Sequence, residues 1–208
     1  MILNLNGQTL YVNAYSNQAI QQICLDQKQV LDEDRGFLVF LNSDWHFVGL
    51  EQAKLFINQE TVIKKIAVIL ESPHKDEYDA DFVPIRPANG RTGRNLEKKL
   101  SLQNKILPHL EVSNMYLVRL MNPVQYQASC AYFVKRSIRS ETDKVFRTLF
   151  SKKGFNLRDD FIERLQAFQP DIILNCCTYA LGEGVVSTAI NESHLNTFVL
   201  RLKHPSCW

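Results

Sequence analysis

A carboxylate and an imidazole occupy equivalent places in this chain. Each stands at the exit of an apolar run, and each is closely followed by a proline. Glu71-Ser72-Pro73-His74 follows Ile66-Ala67-Val68-Ile69-Leu70, and His204-Pro205-Ser206 follows Thr197-Phe198-Val199-Leu200-Arg201-Leu202. Apolar runs of this length read as buried strands. In open α/β sheets the ligand crevice lies beyond the carboxyl ends of the strands. The two motifs therefore read as two halves of one active site. A carboxylate there can orient water and stabilise a developing cation. A donor opposite it can stabilise negative charge on a departing group.

The basic residues are clustered. The net charge is only +2 over 208 residues, too small to argue for nucleic acid by itself. Its distribution says more: Arg86, Arg91, Arg94, Lys98 and Lys99 fall in one short stretch, and Lys135, Arg136 and Arg139 in another. Gly90 and Gly93 precede or open a helix bearing Arg91 and Arg94, which suits approach of a phosphate to a helix N-terminus.

Five cysteines, Cys24, Cys130, Cys176, Cys177 and Cys207, are an odd number with no C-x-x-C spacing. That argues against a disulfide framework and against a zinc or iron–sulfur site. Adjacent residues in a strand point to opposite faces, so Cys176 and Cys177 are poorly placed to grip one ion. No metal and no cofactor are expected.

The elements that must position these residues follow from periodicity. Segments 66–70, 115–121, 171–175 and 197–202 are predominantly apolar without strict alternation, as parallel strands covered on both faces are. Helices are expected over 93–102, 142–150 and 157–168, the last stopping at Gln169-Pro170. Alternating strand and helix predicts an α/β fold, a three-layer α/β/α sandwich with a central four-stranded parallel sheet. Residues 1–61 read as an N-terminal extension with a short helix over 19–31. It also carries a β-hairpin over 36–50, turning at Asn42-Ser43-Asp44. Residues 62–208 read as one compact domain. Hydrophobic residues make up 45% of the chain and charged ones 22%, ordinary for a globular protein. No apolar stretch is long enough to span a bilayer and the N-terminus lacks a secretory pattern, so no membrane partner and a cytoplasmic location are expected.

Four motifs, in order, resemble the uracil-DNA glycosylase superfamily, especially its thermostable iron–sulfur branch. Leu70-Glu71-Ser72-Pro73-His74 stands where that branch has a Gly-Glu-Ala-Pro-Gly type motif. Ile85-Arg86-Pro87-Ala88-Asn89-Gly90-Arg91-Thr92-Gly93 is similar to its Gly-Arg-Pro-Phe-x-Gly-x-Ala-Gly segment. Pro170-Asp171-Ile172-Ile173-Leu174-Asn175-Cys176-Cys177 resembles the third strand, and His204-Pro205-Ser206 the closing His-Pro-Ser. The resemblance spans roughly residues 62–208 and implies an α/β/α sandwich around a four-stranded parallel sheet. It also implies hydrolysis of the N-glycosidic bond of uracil, or of a modified or bulky base, in DNA, and a role in DNA repair or the handling of modified DNA. Glu71 would orient water and stabilise the sugar cation, and His204 would stabilise the departing base. Ser72, Pro73, His74, Ala88, Arg119 and Asn122 would line the base pocket. Arg86, Gly90, Arg91, Gly93, Arg94 and Ser206 would meet phosphates of a single strand or a strand with a flipped base.

Three departures from the family pattern bear on these expectations. The spaced cysteines of the iron–sulfur branch are not reproduced, so no cluster is expected. Ala88 replaces the phenylalanine on which uracil stacks, and Arg119, with Asn122 nearby, stands where a base-reading asparagine is usual. That implies a pocket open to a base larger than uracil. The relatives continue past His-Pro-Ser with a wedge residue, for which Trp208 is the available counterpart. Other readings of the same residues are a non-catalytic nucleic-acid or nucleotide-binding module and a nucleoside or nucleotide hydrolase.

Overall fold

The computed structural model describes residues 2–5, 8–11, 29–79, 83–126, 146–147, 149–151, 156–178 and 182–208. Strands β1 (Ile2–Leu5) and β2 (Gln8–Tyr11) form a small antiparallel pair. The main sheet contains β3 (Glu33–Leu41), β4 (Asp44–Val48), β5 (Val62–Ile69), β6 (Asn114–Met121), β7 (Ile172–Asn175) and β8 (Phe198–Arg201). Its order is β4-β3-β6-β5-β7-β8, and it is open rather than closed into a barrel. β5 pairs parallel with β6 on one side and with β7 on the other, and β8 pairs parallel with β7. Helices α1 (Leu50–Ala53), α2 (Arg91–Lys99), α3 (Leu157–Phe168) and α4 (Ser187–Glu192) complete the named elements.

The alternation of β5 explains why it is central. Ile66, Val68 and Leu70 enter one apolar cluster with Val118, Leu120, Leu96 and Leu100. Ala67 and Ile69 enter the other, with Met121, Phe161, Leu165 and Phe168. α2 thus supplies one face and α3 the other. A strand buried on both faces has no polar alternation, as its sequence shows. α3 is bounded by Asn156 and Gln169, both at positive φ, with Pro170 immediately after.

The expected four-stranded parallel sheet is corrected to a six-stranded mixed one. The hairpin of the N-terminal region forms where its sequence placed it, with Asn42 and Ser43 at positive φ in a two-residue turn. It does not stand apart: β3 pairs antiparallel with β6. The physical reason is visible in Phe37, Leu38 and Val39, all buried. These point alternately to both faces, Leu38 into one apolar cluster and Phe37 and Val39 into another, and burying all three requires a place inside the sheet with cover on both faces.

The start of β3 is tied down by three acidic residues, each meeting a cation from a different element. Asp32 meets Arg164 of α3 at 2.5 Å, Glu33 meets Arg86 at 2.8 Å, and Asp34 meets Arg119 of β6 at 2.6 Å. The expected helix over 19–31 falls almost wholly outside the described residues, and 29–31 are not helical. Of the helix expected over 142–150, residues 146, 147, 149 and 150 are described and helical. Lys135, Arg136, Arg139, Cys24 and Cys130 lie outside the described residues. Among the described residues no helix is long and apolar enough to cross a membrane.

Candidate active site at the carboxyl ends of the parallel strands

The chain leaves β5 to one side for β6 and reaches β7 on the other. The order reverses at β5, so the crevice beyond β5 and β7 is the place where an open α/β sheet binds ligands. Glu71 leaves β5 there and is 6% exposed. Thr178, beyond the end of β7, donates its hydroxyl to Glu71 Oε2 across the gap. The backbone N–H of Val124, beyond β6, reaches the Glu71 carbonyl at 3.4 Å. The carboxylate is thereby held from the exit of β7 and its backbone from the exit of β6. Thr178 carried no sequence signal, being an isolated threonine after an apolar run.

His204 leaves β8, one strand beyond β7 on the same carboxyl edge. Two interstrand spacings, roughly 10 Å, separate the β5 and β8 exits. His204 Nδ1 accepts from the Ser206 N–H at 3.3 Å and lies 2.8 Å from Ser206 Oγ. Occupation of Nδ1 as acceptor assigns the proton of the neutral ring to Nε2. Burial, then the neighbouring His74 and Arg201, hold the imidazole down to about 4. It is therefore an uncharged donor at neutral pH. His74 belongs to the loop after β5, so the two motifs face each other through their loops.

The turn that opens α2 packs against the same region. Asn95 of α2 donates to the carbonyl of Pro205 at 3.0 Å and reaches those of Trp208 and Ser206 at 3.4 and 3.5 Å. A polar residue on a helix face gives no sequence hint of such a clamp. Arg91 and Arg94 are exposed on α2 and enter none of the ion pairs among the described residues. Gly90 and Gly93 have packing reasons of their own. A Cβ on Gly90 would lie 2.7 Å from Asp76 Oδ2, and one on Gly93 would lie 2.0 Å from the Ala88 carbonyl oxygen. Asn89 Nδ2 also bonds the Asp76 carbonyl at 2.9 Å. Asp76 thus brings a carboxylate to the helix N-terminus expected to receive a phosphate.

Several expected roles are corrected by these contacts. Arg119 grips Asp34 through Nε and Nη2, at 2.6 and 2.9 Å, and lies 4.2 Å from the Phe168 ring centroid. Strand alternation puts it on the α3 face of the sheet with Asp34 and Phe168, not among the site loops. Arg86 is taken up by both oxygens of Glu33, at 2.8 and 3.1 Å. Ala88 is 1% exposed, has φ 51 and packs in the α2-side core, so its methyl does not open onto a vacant stacking face. Trp208 folds back against that core and donates Nε1–H to the Lys203 carbonyl at 2.7 Å, which is not the posture of a wedge.

Ser72, Pro73 and Asn122 are buried at the same end of the sheet, Asn122 to 1% exposure. Ser72 Oγ, both side-chain amide atoms of Asn122 and Glu77 Oε2 have no hydrogen-bond partner among the described residues. Buried polar atoms are nearly always satisfied in native proteins, so this cluster calls for a partner. Glu77, overlooked in a charged stretch that reads as solvated, is the central group. Burial pushes its carboxyl up to about 7, against the pull of the His74 and Ala88 backbone N–H groups and the Asn122 side chain. The His74 N–H reaches Glu77 Oε1 at 3.0 Å. Asn122 thus lies beside the carboxyl without completing hydrogen-bond geometry.

The raised Glu77 pKa has a signed consequence for stability. The folded chain binds the Glu77 proton more tightly than the unfolded chain, whose value is near 4.5. Its contribution is therefore fully present below the unfolded value and falls as pH rises towards 7, by about 3 kcal/mol in all. Glu77→Gln should remove that dependence. Urea unfolding of both proteins at pH 5 and pH 8 should show the variant gaining on the wild type between the two. An equal pH response in the two proteins would exclude a buried titrating Glu77.

Cys176 faces the α2-side core and Cys177 the α3-side core. Burial pushes Cys176 up to about 12 and Cys177 well above its usual range. The Cys177 thiol donates to the Leu70 carbonyl. Among the described residues no three His, Cys, Asp or Glu side chains are grouped to hold a metal ion. No family model, curated protein or solved structure matches this chain.

Proposed function

We propose that the chain is a DNA glycosylase-like hydrolase that cleaves the N-glycosidic bond of uracil or a modified base. In this reading the four parallel strands and their helical layers form the α/β/α core of the uracil-DNA glycosylase superfamily. The observation that carries the reading is one juxtaposition. An oriented, buried carboxylate and an uncharged imidazole stand on the same carboxyl edge of the sheet, at strands separated by β7.

Bond cleavage leaves positive charge on the sugar and negative charge on the base. Glu71, its Oε2 held by Thr178, orients the attacking water and stabilises the cation. His204, with Nδ1 occupied by Ser206, offers Nε2–H to an oxygen of the departing base. A neutral donor serves that purpose without first surrendering a proton, as neutral imidazoles do elsewhere. The Asn122 amide and Ser72 hydroxyl, without a partner among the described residues, supply donors and acceptors suited to a base edge. The base reaches them flipped or from single-stranded DNA, steered by Arg91 and Arg94.

An abasic-site assay tests the reading. The panel carries uracil, hypoxanthine, xanthine and modified cytosines, each in single- and double-stranded oligonucleotides, with the free nucleosides alongside. Alkali-labile cleavage of at least one oligonucleotide is expected. Cleavage of nucleosides alone would move the activity to nucleoside hydrolysis, and no cleavage of any substrate would leave a binding module.

A further inference from the structure

We propose that Arg201 is the positioning residue of this site, its guanidinium locking the exits of β7 and β8 so that Thr178, with Glu71, and His204 keep one relative geometry. The proposal rests on the glycosylase reading above.

Arg201 ends β8 directly opposite Asn175, the last residue of β7. Beyond these two residues the strands stop pairing, and the chain segments that carry Thr178 and His204 begin. The guanidinium fills that gap. Nη1 donates to the Asn175 carbonyl at 2.6 Å and reaches the Leu202 carbonyl at 3.3 Å and Asn175 Oδ1 at 3.4 Å. Nη2 donates to the Cys177 carbonyl. Thr178 is the next residue after Cys177, and His204 is the second after Leu202. One side chain therefore holds the backbone within two residues of both functional groups.

The geometry requires an arginine. Its planar fork spreads donors over two nitrogens at fixed angles, whereas a lysine ammonium gathers its three donors on one nitrogen at the end of a flexible stem and cannot reproduce that spread. Among the described residues Arg201 forms no ion pair with a carboxylate, so its charge is balanced only by carbonyl dipoles. That charge reaches the neighbouring groups, opposing protonation of His204 and favouring the Cys176 thiolate. His204 faces His74 from the loop after β5, Arg201 from β8 and Ser206 from its own turn, while α2 presents the neutral Asn95 to that turn. Arg201 thus contributes position and charge, and the two are separable by substitution.

The test uses the full chain as wild type, Arg201→Lys and Arg201→Met, with thermal unfolding to establish that each is folded. Two readouts are taken: the NMR titration of the His204 imidazole, and single-turnover excision of the oligonucleotide cleaved in the base panel. Arg201→Met should raise the His204 midpoint and slow excision on the order of 10²-fold, the scale of a misplacement near 1 Å. The protein concentration that gives half the maximal single-turnover rate should change little. Arg201→Lys keeps a cation and should keep the midpoint low, yet it should still lose most of the rate. A lysine variant with the wild-type rate would overturn positioning by the fork.

If the wild type excises nothing, the glycosylase reading fails on its own. The clamp is then judged by the backbone amide shifts of Thr178 and His204, which must move in both variants and would sink the proposal if unchanged. Should Arg201→Met not fold, Arg201→Lys and Arg201→Gln carry the same comparison.

Discussion

Glu71→Gln should slow base excision by on the order of 10²–10⁴-fold, the range lost with a general acid–base group, while the protein stays as stable as the wild type. Glutamine keeps the shape, and its carbonyl oxygen still accepts the Thr178 hydroxyl that now meets Oε2. What disappears is the negative charge. The fold keeps the same side-chain shape and the same hydroxyl contact, while the sugar cation loses its counter-charge. Activity and stability should therefore move independently. Single-turnover excision and thermal unfolding, measured on the same preparation, check this. Excision at the wild-type rate would remove Glu71 from the mechanism.

Gly93→Ala should destabilise the fold by about 3 kcal/mol, the upper range for forcing a group into packed space. The new Cβ would sit 2.0 Å from the Ala88 carbonyl oxygen, and a backbone atom cannot step aside as a flexible side chain can. Either α2 or the turn before it must move. α2 carries Leu96, fully buried, and Asn95, which holds the His204 loop. The damage should spread from the core to the site. Urea unfolding would show a lower midpoint, and a midpoint equal to the wild type would mean that the turn yields without cost.

Much of the framework was legible because buried parallel strands announce themselves. The run ending at Leu70 is apolar throughout and buried, whereas the run ending at Leu202, interrupted by Arg201, forms an edge strand that leaves Phe198 and Val199 exposed. The motifs after both fall on one sheet edge because the strands run parallel. α3 was equally clear, its apolar positions repeating at helical spacing up to Pro170. Pairing was harder to see. Nothing in Phe37-Leu38-Val39 says that its neighbour is β6, since an apolar strand fits any partner with a free edge. Arg119 was misread for a related reason, because the carboxylate that claims it lies 85 residues earlier. Thr178, Asn95 and Arg201 escaped notice because they act on backbone carbonyls or on one distant oxygen. Such contacts depend on where loops end, and residue type alone does not encode them. Glu77 escaped because Lys75-Asp76-Glu77 reads as a solvated charge run, whereas two backbone N–H groups draw its carboxyl inward.

The acidic run at the start of β3 bears on time as well as on place. Its three ion pairs close chain segments of 132, 53 and 85 residues, from Asp32 to Arg164, Glu33 to Arg86 and Asp34 to Arg119. Closing segments this long costs chain entropy before any contact repays it, so the three pairs are expected to form late in folding. Interactions made after the rate-limiting step leave the folding rate nearly untouched and slow the reverse reaction. The latch at the head of the hairpin is therefore expected to act as a brake on unfolding, lengthening the lifetime of the native sheet more than it hastens its formation.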